Sequence, residues 1–149
     1  MIKLLDLKDA KTAEKIVVLQ KRSYAVEAEL IGFYDIPPMK DTKDTIAKCD
    51  ETFYGFYDGD ELAGLIAYEL EDDLLDICRV AVNPEHFRKG IARQMVEHII
   101  ALNKGIKLIT VSTGLKNLPA VNLYLKLGFV KTRELEVEKD VYIVCFERK

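Results

Sequence analysis

Apolar and polar positions along this chain change period several times, and each change marks an element. Ile2 to Leu7 alternates in steps of two, the period of a strand. Thr12 to Ala28 is rich in helix formers, with apolar positions at Ile16, Leu19 and Tyr24 and with Leu30 just beyond. Gly32 to Pro38 breaks that pattern, because Pro37-Pro38 lacks the N–H groups a helix needs. Asp44 to Cys49 resumes a helix. Thr52 to Tyr57 and Leu62 to Leu70 read as strands joined by Asp58-Gly59-Asp60, a hairpin turn signal. Glu71-Asp72-Asp73 makes the next turn and Leu74 to Val82 the next strand.

The second half changes period again. Gly90 to Lys104 places Ile91, Ala92, Met95, Val96, Ile99 and Ile100 on one helix face, with Gly105 as the expected cap. Lys107 to Ser112 is a β-rich strand. Asn117 to Leu127 is a helix ended by Gly128, and Pro119 is tolerated because it falls in the first turn. Phe129 to Glu138 and Val141 to Glu147 read as a hairpin around Lys139-Asp140. Strand, two helices, three strands, helix, strand, helix, two strands is a mixed α/β order, with helices on both faces of one sheet.

The 149 residues are expected to form one domain, and a hydrophobic fraction of 49% is enough to bury a sizeable core. The net charge of −3 argues against a nucleic-acid partner. No apolar run approaches the ~20 residues of a membrane span, and the amino-terminal residues do not read as a signal peptide. Cys49, Cys78 and Cys145 are odd in number and far apart, which points to a reducing, cytoplasmic setting rather than a disulfide framework. His86 and His98 lack metal-ligand spacing, so no metal site is expected. They read as a turn residue and a helix-surface residue. Cys78, on a strand with no histidine near it in sequence, reads as a small core residue.

The chemistry concentrates between Leu74 and Val96. A strand, a Pro-containing turn and the run Phe87-Arg88-Lys89-Gly90-Ile91-Ala92 open an amphipathic helix. The first N–H groups of a helix have no intrahelical partner, and the dipole adds positive charge there. Flanked by Arg88, Lys89 and Arg93, such a helix start suits a pyrophosphate. A phosphate-loop nucleotide site would need Gly-x-x-x-x-Gly-Lys-Ser/Thr, and a dinucleotide fold Gly-x-Gly-x-x-Gly; neither string occurs.

Two segments resemble the GNAT superfamily of acyl-CoA N-acyltransferases. The first is the acyl-CoA loop, written Gln/Arg-x-x-Gly-x-Gly/Ala, here Phe87 to Ala92 with Phe87 in place of the polar first residue. The second is Asn-x-x-Ala-x-x-x-Tyr followed by Leu-Gly-Phe, met by Asn117, Ala120, Tyr124 and Leu127-Gly128-Phe129. The resemblance covers residues 50 to 149 well; residues 1 to 50 match only in helix count. It implies a mixed, mostly antiparallel seven-stranded sheet. It also implies acetyl-CoA as cosubstrate, an amine as acceptor, and direct attack of the amine on the thioester in a ternary complex. The remaining alternative is a module that binds or senses acyl-CoA without transferring it. A homodimer is left open.

The same resemblance distributes roles. Coenzyme A would be held by Phe87, Arg88, Lys89, Gly90, Ile91, Ala92 and Arg93, by backbone groups of Val80, Ala81 and Val82 at a splayed strand edge, and by Asn117. Tyr124 would be the acid toward the leaving thiolate, since a phenol titrating near ~10 arrives protonated at neutral pH. Asp76 stands where one branch of the family has a Glu base; either it or water would take the amine proton. Strict alternation would put Asp76, Cys78, Val80 and Val82 on one face and Ile77, Arg79 and Ala81 on the other. The acceptor side would come from Tyr24 to Lys43, whose Glu27, Glu29, Asp35, Tyr24, Phe33 and Tyr34 suit an ammonium group.

Overall fold

The computed structural model describes residues 1–149. In chain order the elements are β1 (Ile2–Leu4), α1 (Ala10–Ile31), α2 (Lys43–Ala47), β2 (Thr52–Asp58), β3 (Glu61–Glu71), β4 (Leu74–Val82), α3 (Ile91–Leu102), β5 (Leu108–Gly114), α4 (Leu118–Lys126), β6 (Val130–Glu138) and β7 (Val141–Arg148). The strands form one seven-stranded sheet in the order β1-β2-β3-β4-β5-β7-β6. Only β4 and β5 run parallel, because α3 carries the chain back between them. The expected α/β sheet with helices on both faces is therefore what the chain forms.

Two cores follow from the alternation of side chains across the sheet. On one face Ile66, Leu75, Ile77, Met95, Ile99, Tyr124 and Phe146 pack beneath α3 and α4. On the other Ile16, Leu19, Tyr24, Ala28, Phe53 and Leu65 pack beneath α1 and α2. β3 is buried on both faces from Leu62 to Tyr68, which explains its unbroken apolar run.

Some boundaries differ from the sequence pattern. α1 starts earlier than Thr12 because Asp9 caps it: its carboxylate accepts from the Thr12 N–H at 3.1 Å. It also runs past Ala28 to Ile31, where Gly32 takes the left-handed conformation (φ 70°). Leu30 is exposed, and Ile31 is the buried residue of that last turn. Gly114 admits the end of α1: a Cβ there would lie 2.4 Å from Ile31 Cγ2. That close approach brings the last turns of α1 against the end of β5.

Candidate active site

The loop before α3 is anchored from below. Asn83 Oδ1 accepts the Glu85 N–H at 3.0 Å, and Glu61 Oε2 lies 3.1 Å from both Asn83 Nδ2 and His86 Nε2. His86 is thus a turn residue, as expected, but a buried one. Its other ring nitrogen lies 3.5 Å from Lys89 Nζ. Beyond it the backbone turns left-handed at Arg88 (φ 67°) and Gly90 (φ 74°). A left-handed non-glycine costs ~1–2 kcal/mol, and such strain concentrates where a ligand is held.

Gly90 is the N-cap of α3, and no side chain caps the helix. Its carbonyl takes the Gln94 N–H, so the N–H groups of Ile91, Ala92 and Arg93 have no intrahelical acceptor. A Cβ at Gly90 would meet only Gln94 Nε2, at 4.0 Å, so the space over the helix start is open. Arg88 and Lys89 are exposed beside it. The Ile91 side chain is core, which leaves only its N–H to a ligand. Arg93 pairs with Glu97 at 3.0 Å along the helix. Phe87, 41% exposed, gives the loop an apolar surface where the family motif has a polar residue.

β4 and β5 pair only from Leu74↔Leu108 to Ile77↔Val111; beyond that the strands separate. Adjacent residues present their backbone groups to opposite edges of a strand. Asn83 donates to Ala63 on β3, so Ala81 also faces β3 while Val80 and Val82 face the gap. The expectation for Ala81 is corrected on this point: it is buried and its polar groups belong to the β3 ladder. Val82 already donates to Ser23 Oγ at 3.1 Å. The Val80 N–H lies beside the Tyr24 phenol.

The expected faces of β4 are also corrected. The register with β3 shifts at Cys78, where Ala67 opposes Arg79 and Tyr68 opposes Ile77. This bulge resets the alternation. Ile77, Val80 and Val82 lie toward α3 and α4, and Ala81 lies toward α1. Cys78, the extra residue, is exposed rather than core. Burial of its thiol and then the neighbouring carboxylates of Glu51, Asp76 and Glu69 push its pKa up to about 12, so it stays a thiol.

Residues from four elements meet at the gap. Asn117 caps α4: its Oδ1 accepts the Ala120 N–H at 3.4 Å, and its Nδ2 donates to Glu27 Oε1 at 2.7 Å. Thr113 Oγ1 lies 3.4 Å from the same oxygen. Both polar ends of Asn117 are thus engaged within the protein, which ties the start of α4 to Glu27 of α1. Tyr124 sits at the foot of α4 with its ring against Phe129 and Phe146, at centroid distances of 5.6 and 5.8 Å. Its phenol is pushed well above its ordinary value, first by burial and then by the charge of Glu27. Tyr24, from the opposite core, is raised by burial and by the same carboxylate. Glu27 itself is raised by burial, against the hydrogen bonds from Asn117 and Thr113.

Asp76 lies apart from this cluster. It is exposed, and its Oδ1 accepts from Thr110 Oγ1 at 2.7 Å at the last paired positions of β4 and β5. It lines an open trough of about 840 Å³ with Glu69, Ser112, Arg133 and Glu147. The remaining acceptor-side candidates do not converge. Glu29 and Tyr34 are exposed, and Asp35 pairs with Lys40.

Sequence reasoning missed Arg79. Its guanidinium takes Glu51 (Nε–Oε1 3.0 Å), Asp41 (2.5 Å) and Gln20 Oε1 (3.0 Å), and it lies 5.2 Å from the Phe53 ring centroid. It pins the segment between α1 and α2 to β4. Its only signal was an Arg within an apolar strand, and its partners are 28 to 59 positions away. Glu51, Glu69 and Cys78 also bring ligand atoms within 4.8 Å of one another, but both Glu51 oxygens are held by Arg79.

The comparisons with known proteins agree with this architecture. The family model described as Acetyltransferase (GNAT) family matches residues 15–129. The chain belongs to that family. It is 36% identical over 146 residues to the UPF0157 protein YqkA of Bacillus subtilis (strain 168), covering 98% of this chain and 43% of that protein. It is 35% identical over 83 residues to an Escherichia coli streptothricin acetyltransferase, covering 54% and 48%. The chain thus spans about half the length, or less, of these curated relatives. Among solved structures it resembles the ribosomal-protein-S18-alanine N-acetyltransferase of E. coli, with TM-score 0.77, 16% identity and coverage of 99% and 92%. It also resembles the PaiA N-acetyltransferase of Thermoplasma acidophilum, with TM-score 0.75, 17% identity and coverage of 97% and 98%. No helix of the chain is long and apolar enough to cross a membrane.

Proposed function

We propose that this chain transfers an acetyl group from acetyl-CoA to a primary amine, by direct attack within a ternary complex. The observation that carries the reading is the gap between β4 and β5, which opens beside the uncapped start of α3 and has Tyr124 at its inner end. Pyrophosphate would sit on the N–H groups of Ile91 to Arg93, between the side chains of Arg88 and Lys89. The pantetheine arm would lie along the Val80 and Val82 edge. The solved structure of the PaiA N-acetyltransferase, which shares this fold, is a complex with coenzyme A.

In this reading the free amine attacks the thioester carbon, and a backbone N–H at the gap meets the developing oxyanion. The C–S bond then breaks and Tyr124 Oη protonates the sulfur. Asp76, exposed on the trough beside the paired part of β4 and β5, draws the incoming ammonium, whose first proton passes to water. A thioester of Cys78, whose raised pKa keeps it a thiol, plays no part.

The test is thiol release from acetyl-CoA against a panel of amines, polyamines, amino acids and short peptides, with coenzyme A affinity measured by calorimetry on the same samples. Amine-dependent release establishes the transferase and its acceptor class. Tight binding without release for any amine overturns transfer in favour of sensing, and no binding overturns the loop assignment.

A further inference from the structure

An ammonium acceptor must lose two protons before an amide can form. The first leaves in open solvent near Asp76. The second leaves only as the C–N bond forms, inside a gap walled by Tyr24 and Tyr124. Glu27 is the carboxylate there.

Two turns of α1 put Tyr24, Glu27, Ala28 and Ile31 on one face, directed at the sheet where β4 and β5 have parted. Ile31 seats against Gly114, and this fixes the height of Glu27 over β5. Both hydrogen bonds to the carboxylate go to Oε1, from Asn117 and Thr113. No side-chain oxygen or nitrogen in the structure is both sealed from solvent and without a partner, so Oε2, which takes neither hydrogen bond, keeps access to solvent. The same holds for the Tyr124 hydroxyl.

We propose that Glu27 is a further catalytic residue: its Oε2 accepts the proton that the nitrogen loses as it attacks, and later returns it to Tyr124. The inference rests on the acetyl-transfer reading above. The protons balance. The nitrogen forms its bond to the acetyl carbon and gives one proton to Glu27. The C–S bond breaks, its electron pair stays on sulfur, and Tyr124 protonates that sulfur. Protonated Glu27 then reprotonates the Tyr124 phenolate, and both side chains return to their starting states.

The electrostatics give the order of events. The negative charge of Glu27 is one cause that holds the Tyr124 phenol protonated. Once Glu27 takes the amine proton that charge is gone, and Tyr124 becomes a stronger acid as the thiolate forms. Burial raises Glu27 itself, which makes it a better base than an exposed carboxylate. The titratable groups that face it are Tyr24 on its own helix and Tyr124 on α4; Asn117 and Thr113 are its neutral partners. Arg79, on β4, is the cation whose field reaches Tyr24.

The experiment compares wild type, Glu27→Gln and Glu27→Asp, using acetyl-CoA and the best amine of the panel. Each protein is followed by kcat across pH, by coenzyme A calorimetry and by thermal unfolding. Glu27→Gln keeps an oxygen for Asn117, so we expect kcat to fall about 100-fold or more with coenzyme A affinity within about threefold of wild type. The acid limb of the wild-type kcat profile, set above the ordinary carboxylate range, should vanish in Glu27→Gln. Glu27→Asp should keep a limb at reduced kcat, and it carries the test if the Gln variant does not fold.

The raised pKa also fixes the sign of the stability change. The folded state holds the proton more tightly than the unfolded state, so stability falls as pH rises from the ordinary value to the raised one. Glu27→Gln should therefore be no less stable than wild type at neutral pH. Wild-type kcat and an intact acid limb in Glu27→Gln would overturn this role and leave acetyl transfer standing. So would a loss of coenzyme A affinity and stability in step with activity. Absence of thiol release from coenzyme-A-binding wild type with every amine overturns both.

Discussion

The loop that opens α3 and the gap between β4 and β5 belong to one site but are built in opposite ways. The loop is a single stretch of chain, from Asn83 to Arg93, whose donors are backbone N–H groups. The gap takes Glu27 from α1, Val80 from β4, Thr113 from β5 and Tyr124 from α4. A loop whose donors are backbone groups should tolerate side-chain change, Phe87 included. A site assembled from four elements depends on how closely they approach.

The largest effect should come from the loop. Gly90→Asp places a side chain on a left-handed backbone and a carboxylate in the space proposed for pyrophosphate. Calorimetry should show coenzyme A affinity weakened roughly 100-fold or more, with the melting temperature lowered by only a few degrees through the left-handed backbone.

Next in size is a change confined to the gap. Tyr124→Phe removes the hydroxyl and keeps the ring against Phe129 and Phe146. Stopped-flow or steady-state thiol release should show kcat lowered about 100-fold, with coenzyme A affinity within about threefold. Full kcat across pH would remove Tyr124 from the chemistry and leave the loop as the only part of the site supported.

A smaller effect should follow from moving an element without touching a reacting group. Gly114→Ala sets a Cβ against Ile31 and pushes the end of α1 off β5. Overpacking of this kind costs about 1–3 kcal/mol in denaturant unfolding. Activity should drop through kcat while coenzyme A affinity holds, because the loop lies on other elements. Equal losses in both would show that gap and loop are one mechanical unit.

Asp76→Asn should give the smallest change. In an exposed trough a charge pair is worth about 1 kcal/mol, so the KM of a cationic acceptor should rise roughly fivefold. An unchanged KM would leave water alone to take the first proton.

The difference in build explains what could be read from the chain. The order of strands and helices, the opening of α3 and the Asn117–Tyr124 helix were legible because each is a local pattern of period, cap and breaker. Glu27 was visible only as one of several acidic residues near the break after α1. Its neighbours in sequence, Tyr24 and Ile31, share its helix face, but nothing local says that this face meets a gap rather than a closed sheet. Asp76 gave the opposite result. Its place on β4 was legible, but its exposure was not, because exposure depends on what the other elements leave uncovered. The bulge at Cys78 was illegible too, and it turned over half of the expected faces of β4. A bulge is a property of the pairing with β3, not of either strand.

By itself the sequence determined the element order, the family, the glycine that opens α3 and the presence of a phenol on α4. Those depend on hydrogen bonds and side-chain spacings within a few residues of one another. The tertiary structure alone decided which edge groups of β4 remain open, that Arg79 pins the segment after α1, and that Glu27 rather than Asp76 stands beside Tyr124. These depend on contacts between residues up to 90 positions apart, and the cost of burying the Glu27 carboxylate arises only once α1 has packed on the sheet.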